Sequence, residues 1–411
     1  MNSRERIRAV FENQKTDWIP TDLGGTRKTG ISVTGIYHLR QCIGAETPVR
    51  LYDVYEGLAE MDVAVEDAVG CDTMRLPQPI PLLNIDCLKE QTKKWWKPYA
   101  MEDGTGVLVP TDFFPERELK GDLCLRDLMD RRFAMMKRGG WKFEPLVEGP
   151  GARGLTLEEV EKELAEKNPA IAWIPEDSYW ELLQKFISLF ARTSKKALIY
   201  RVGPPTPFFG GLGAQEPLKW LEVLETRSDD ARKLLEKWFT LWMNQLEKLA
   251  GVAVKPIDVL VLEENFCGVC QDLDRQLIRE QILPFYARGI QEIRTKLGEK
   301  SHILWQSEGN FTPFLPQLIE MGVEGVSFTD LETSGVNPLA IKQEFGKDLI
   351  LWGGACSAKD LADMNQNAVL RKVQENLAIL AENGGYVHAL AGNIEPMTDP
   401  ENVLAYFSRR A

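Results

Sequence analysis

The chain has 411 residues and a formal net charge of −12, an acidic excess that argues against general nucleic-acid binding, which needs a basic face. Its 27% charged and 44% hydrophobic residues match a soluble globular protein with a substantial core. The N-terminal stretch lacks the apolar centre of a signal peptide, no apolar run of ~18 residues is present to span a membrane, and seven scattered cysteines fit reduced thiols in the cytoplasm better than a disulfide framework.

In chain order, the first expected helix starts at Ser3, a good N-cap, and ends near Gln14. Residues 18–27 read as a short strand running into a glycine turn. Residues 33–43 and 54–69 read as helices, and 70–77 as a second strand. Residues 78–175 are less regular. Within them Trp95 to Pro98 and Asp103 to Gly106 suggest a hairpin turning on Asp-Gly, and Thr156 with Glu159 caps a charged helix over 157–167. This stretch has no core of its own and is read as an insertion or lid near a barrel mouth.

From Tyr179 onward helices and short apolar strands alternate. The strand-like runs are 197–202, 257–262, 302–305, 325–328, 349–352 and 386–390, and residues 227–250 and 274–296 have the three-to-four spacing of amphipathic helices. Continuous apolar runs between helices indicate a parallel sheet buried on both faces. The expected fold class is α/β: one (β/α)8 TIM barrel over residues 1–411, with an N-terminal extension. In such a barrel the polar groups after each strand converge on one face, and that face carries the chemistry.

The candidate residues are therefore those that follow the strands. Glu263 and Glu264 are adjacent carboxylates after an apolar strand; one of them can protonate a leaving oxygen, or one can pair with an arginine and close the strand end. Glu308 lies in Gln306-Ser307-Glu308-Gly309-Asn310, where a carboxyl can serve the same purpose or cap the next helix. Cys267 and Cys270 form half of a zinc site, which Cys356 and a carboxylate from Glu264 or Glu308 would complete; two small loop residues without metal is the competing reading. Asp22, Arg27, Asp72, Arg75 and Arg201 sit at early strand ends, where the arginines can bind a substrate carboxylate or pair with the aspartates. Asn265, Gln306 and Asn310 complete the substrate-facing set; Asp330 and Glu332 can bind substrate or pair within the chain, and His388, near a strand end, is either a substrate ligand or a satisfied core residue. Trp95, Trp96, Trp305 and Trp352 are candidates for an aromatic wall.

Several segments carry a more specific likeness. Ser3-Arg4-Glu5-Arg6-Ile7 with Trp18-Ile19-Pro20, Gln281 to Tyr286, Ser307 to Asn310, Trp352-Gly353-Gly354-Ala355-Cys356, and Gly384-Gly385-Tyr386 with Asp399 to Val403 keep order and spacing along nearly the whole chain. The chain resembles the uroporphyrinogen decarboxylase superfamily, and within it the cobalamin-dependent methyltransferase branch. That resemblance implies a (β/α)8 barrel and a monomer or homodimer. It also shows departures. The first turn, Gly24 to Thr29, holds one arginine where the decarboxylase has two, and Gly392 replaces a late histidine. The zinc-binding positions of thiol-methylating relatives are Gln306, Glu308 and Gly392 here. The implied function is that of the first methyltransferase of an O-demethylase system. It passes a methyl group from a methoxylated, aromatic donor to the corrinoid (cobalamin) cobalt of a partner protein. A tetrapyrrole decarboxylase and a non-catalytic binder of the corrinoid protein are the alternatives.

Overall fold

The computed structural model describes residues 1–46, 48–78, 96–111, 113–126, 130, 132–146, 149–166, 174–214 and 216–408. Trp95 lies outside the described residues. The chain divides into two compact units: Met1–Arg75, Pro79–Leu146 and Trp352–Ala411 form one, and Leu76–Gln78 with Val147–Leu351 form the other. The stretch 78–175, read from the sequence as one insertion, is thus shared between them. The fold is the expected TIM-barrel-like α/β class.

In the first unit, the helix Ser3–Phe11 is capped by Asn2, not Ser3. Asn2 and Glu5 exchange the two hydrogen bonds of a capping box, so the glutamate sits where the box requires it. The helix expected over 54–69 is only Val63–Val69. Gly57 adopts a positive φ and Leu58–Ala59 pairs antiparallel with Leu51–Asp53, which breaks the periodic run. Residues 20–22 lie between the backbone of Asp72, which donates to the Thr21 carbonyl, and that of His388, which pairs with Thr21 in parallel. Next to His388, Val387 accepts in turn from Gly353 N. The expected hairpin is present as Trp96–Ala100 against Gly106–Pro110. Four further short strands between Glu116 and Pro145 form an antiparallel meander.

Two buried acids organise this unit. Arg6, 1% exposed, bridges Asp17 and Asp72 and lies 3.8 Å over the Trp18 ring. Asp22, fully buried, accepts from Gly25 N, Thr29 Oγ1, Thr73 Oγ1 and Trp352 Nε1 at 2.5–2.9 Å, so its carboxylate closes the turn after the first strand.

In the second unit, parallel strands β1 (Ala197–Arg201), β2 (Val259–Phe266), β3 (His302–Gly309) and β4 (Gly325–Phe328) pair in sequence order, and Ile350 of β5 (Ile350–Trp352) follows β4. Each apolar run of the sequence is a strand, but β2 and β3 extend four residues past their apolar ends. They stay in register to Phe266 opposite Gly309. Strand alternation then sorts their side chains. Leu262, Glu264, Phe266 and Trp305 point toward helices α1 (Ser228–Val252) and α2 (Leu283–Leu297), where Tyr286 packs on Trp305 at 4.9 Å and Trp242 on Tyr286 at 5.9 Å. Glu263, Asn265, Gln306 and Glu308 point the other way. No helix among the described residues is long and apolar enough to cross a membrane.

Two predictions follow from the first unit's acids. Asp22→Ala leaves four donors without their acceptor, and chemical denaturation should show a loss of about 3 kcal/mol or more. At Glu56, burial opposes ionisation, but the charges of Lys28 and Arg27 outweigh it and hold the carboxyl at about 2, below its ordinary 4.5. A depressed native value stabilises the fold above the ordinary value, and that stability disappears as pH falls toward the native one. Unfolding midpoints of wild type and Glu56→Gln should therefore differ at neutral pH and converge between pH 4.5 and about 2.

Candidate functional site at the ends of β2 and β3

The site is a polar patch on the face of the second unit's sheet that points away from α1 and α2, at the C-terminal ends of β1–β4. Most inward positions of such a sheet are apolar, as Val259, Val261 and Leu304 are here. Beyond them the face becomes polar. Arg201, opposite Val261 in register, donates from Nε to Glu263 at 2.7 Å and from Nη2 to the Pro204 carbonyl at 2.8 Å. Asn265 stands opposite Glu308 and donates from Nδ2 to its Oε2 at 2.9 Å. Gln306 stands opposite Ser327 and donates to its hydroxyl at 2.9 Å. Arg201, Glu263, Asn265 and Glu308 are all partly exposed.

The adjacent carboxylates part company here. Glu263 joins the patch, paired with Arg201 as the sequence allowed. Glu264 faces the helices at 3% exposure. It accepts from Phe209 N, Gly210 N, Asn265 N and Tyr286 Oη at 2.8–3.0 Å. Burial pushes its carboxyl up from the ordinary range, against the pull of those four donors. The same burial, with Glu264 beside it, raises the Tyr286 phenol well above its ordinary value, which keeps Tyr286 the donor of the pair. Glu264 is therefore an anchor for the loop after β1, and the proton-donor role drawn from the sequence does not fit its orientation.

Residues 206–410 match the family model described as uroporphyrinogen decarboxylase (URO-D). The chain belongs to the uroporphyrinogen decarboxylase superfamily. No curated protein matches it in sequence. Among solved structures, a methyltransferase from Methanosarcina mazei is similar at a TM-score of 0.54 and 15% identity, covering 99% of this chain and 97% of that one, which is a likeness of fold. A protein named AoRut aligns over 58% of this chain and 72% of its own at 9% identity and a TM-score of 0.30, too low to carry an argument.

The remaining residues of this URO-D superfamily chain fall into place as follows. Arg27 pairs with buried Asp53 at 2.6 Å and Lys28 with Glu56 at 2.6 Å, so the first turn's cations meet the chain's own acids. Arg75 lies 3.8 Å over the Tyr52 ring. Asp72 binds Arg6 and Thr21 N. Asn310 accepts from Thr312 N, and Asp330 caps the short helix in which Glu332 is exposed. Two expectations are corrected. His388 is fully buried, stacked on Tyr406 at 4.3 Å, with Nε2 against the Tyr406 carbonyl and Nδ1 near the Tyr386 hydroxyl; it is a core residue, not a substrate ligand. Trp305 and Trp352 are also fully buried, one under α2 and one bound to Asp22, and form no aromatic wall; Trp96 lies near Arg50.

Cys267 and Cys270 are exposed and Cys356 is buried. Among the described residues no three His, Cys, Asp or Glu side chains gather to hold a metal ion. The donor set thus does not fit the zinc site drawn from the sequence, and no step is assigned to one. Ser327, Tyr286 and the Phe209-Gly210 backbone were not anticipated as partners. Strand register brings in Ser327, and Tyr286 lies in the Gln281 to Tyr286 segment that carries the family likeness, but neither is marked by its sequence as a partner in the site.

Replacing Glu264 by Ala leaves three backbone N–H groups without their acceptor and leaves the Tyr286 hydroxyl with the Glu263 carbonyl at 2.9 Å. A stability loss of about 3 kcal/mol is expected, with faster hydrogen exchange at Phe209 and Gly210 than elsewhere in the unit.

Proposed function

We propose that this chain is a corrinoid-dependent methyltransferase that takes a methyl group from a methoxylated aromatic donor and delivers it to the corrinoid of a partner protein. The observation that carries the reading is the Asn265–Glu308 pair, a carboxyl held at a strand end on the accessible face of the sheet. When the partner is docked, its reduced cobalt supplies the nucleophile. This chain's residues bind and orient the donor and manage the proton. The methyl–oxygen bond breaks, and the departing oxygen takes a proton from the Glu308 carboxyl, leaving a phenol and a carboxylate. An alkoxide or phenoxide is a poor leaving group without such help. Arg201, partly exposed and bound to Glu263 through Nε and to the Pro204 carbonyl through Nη2, is the cation proposed to bind the substrate's carboxylate. The fold likeness to a methyltransferase supports this reading, and a cytoplasmic setting with a corrinoid protein as partner goes with it.

A second reading, decarboxylation of a porphyrinogen, is favoured by the URO-D match over residues 206–410. Against it stands the first turn, where the single arginine, Arg27, is already bound by Asp53. Release of carbon dioxide from uroporphyrinogen by the purified chain would favour this reading.

The test uses a panel of methoxybenzoates with cob(I)alamin as a surrogate acceptor, read as the released phenol. Wild type is expected to turn over at least one donor. Glu308→Gln should slow turnover by about 10²-fold or more, the scale of general-acid catalysis. Its unfolding midpoint should change little, because the side chain is partly exposed. A Glu308→Gln chain of near-normal rate removes Glu308 from the mechanism.

A further inference from the structure

We propose that Asn265 is a positioning residue that fixes the Glu308 carboxyl, and not a ligand of the substrate; this rests on the function just proposed. Its amide is oriented by its partners. The Cys267 backbone N–H can only donate, and it donates to Asn265 Oδ1 at 2.8 Å. The other end of the amide, Nδ2, must then face outward along the pair, and it meets Glu308 Oε2 at 2.9 Å. One side chain thus ties the turn after β2 to the acid on β3.

The surroundings allow Asn265 little freedom. Its backbone N–H is held by Glu264 Oε1 at 2.8 Å. The same carboxyl holds Phe209 N and Gly210 N, which brings the loop after β1 down onto β2. At Gly210 an added Cβ would lie 2.4 Å from Asn265 Cβ, so the loop backbone presses directly on the asparagine. On the β3 side, Gly309 has φ +70°, and a Cβ there would lie 2.4 Å from the Phe266 carbonyl carbon and 2.5 Å from Cys267 N. Two close backbone approaches that only glycine permits therefore fix the amide from both sides. The buried Glu264 acts on the acid through Asn265, which gives it a part in the site without contact with substrate.

The experiment is a swap of the pair. Asn265→Asp keeps the acceptor for Cys267 N–H but sets a second carboxylate against Glu308. Asn265→Asp with Glu308→Gln restores one donor and one acceptor with their roles exchanged. Thermal unfolding is measured for wild type, Asn265→Asp, Glu308→Gln and the double variant. Turnover of a methoxybenzoate with cob(I)alamin is followed for wild type and Asn265→Asp. The expected result is that Asn265→Asp lowers the unfolding midpoint and the double variant recovers much of the loss, since paired sites couple. Asn265→Asp should also lower kcat about ten-fold or more while KM stays within about three-fold, the pattern of a lost interaction in the transition state. Absence of recovery in the double variant overturns the pairing. A raised KM with unchanged kcat overturns the positioning role and makes Asn265 a substrate ligand. A wild-type chain inert with every donor overturns the functional reading and the positioning role with it, while the unfolding data still judge the pair.

Discussion

The site depends on one piece of backbone pairing: β2 and β3 remain hydrogen-bonded partners through Phe266 and Gly309, well past the end of their apolar residues. Because side chains alternate along a strand, that extension decides which groups face the polar patch and which face the helices. A shift of one residue would exchange Glu263 with Glu264 and turn Glu308 into the core. The register is held by the aromatic packing behind it. Phe266, Trp305 and Tyr286 form a buried cluster that a slip would expose to the wrong side. Burial of each such ring is worth roughly 1.5–3 kcal/mol, so the three together outweigh any single hydrogen bond on the polar face.

Each unit contains a carboxylate used as an internal fastener. Asp22 gathers a turn, two threonines and an indole; Glu264 gathers a loop, the start of a strand end and a phenol. Both are fully enclosed, and burial raises both above their ordinary range. Multiple short donors offset the cost of enclosing the charge. Neither is placed to meet a substrate, although perturbed acids are often the first candidates for catalysis. In this chain the partly exposed acids, Glu263 and Glu308, are the ones that point away from the helices.

The strand–helix alternation was legible because it rests on local patterns. Apolar runs of four to six residues and amphipathic helices announce themselves, as 325–328 and 227–250 did. The capping box at Thr156 was legible for the same reason, while the first helix's N-cap was placed one residue late, at Ser3, and the box that Asn2 forms with Glu5 was missed. The strand ends were not legible. Polar residues such as Glu263 and Gln306 look like the start of a loop, and only pairing with a neighbouring strand keeps them extended. The fate of His388 was undecidable locally, since a histidine that stacks on Tyr406 and one that faces solvent have the same neighbours in sequence. The apolar runs and the resemblance to the superfamily directed attention to these strand ends, and the register of β2 and β3 then sorted their side chains between the two faces.

The opposed orientation of Glu263 and Glu264 has a consequence for acid–base behaviour. Neighbouring acidic residues invite comparison with catalytic dyads, in which two carboxyl groups share a site and lose their protons in two coupled steps. Here the strand's own peptide plane stands between them, one acid bound to a guanidinium and the other enclosed by amides and a phenol. Two residues adjacent in the chain therefore belong to separate electrostatic environments, and a substitution at one reports on the patch while a substitution at the other reports on the packing beneath it.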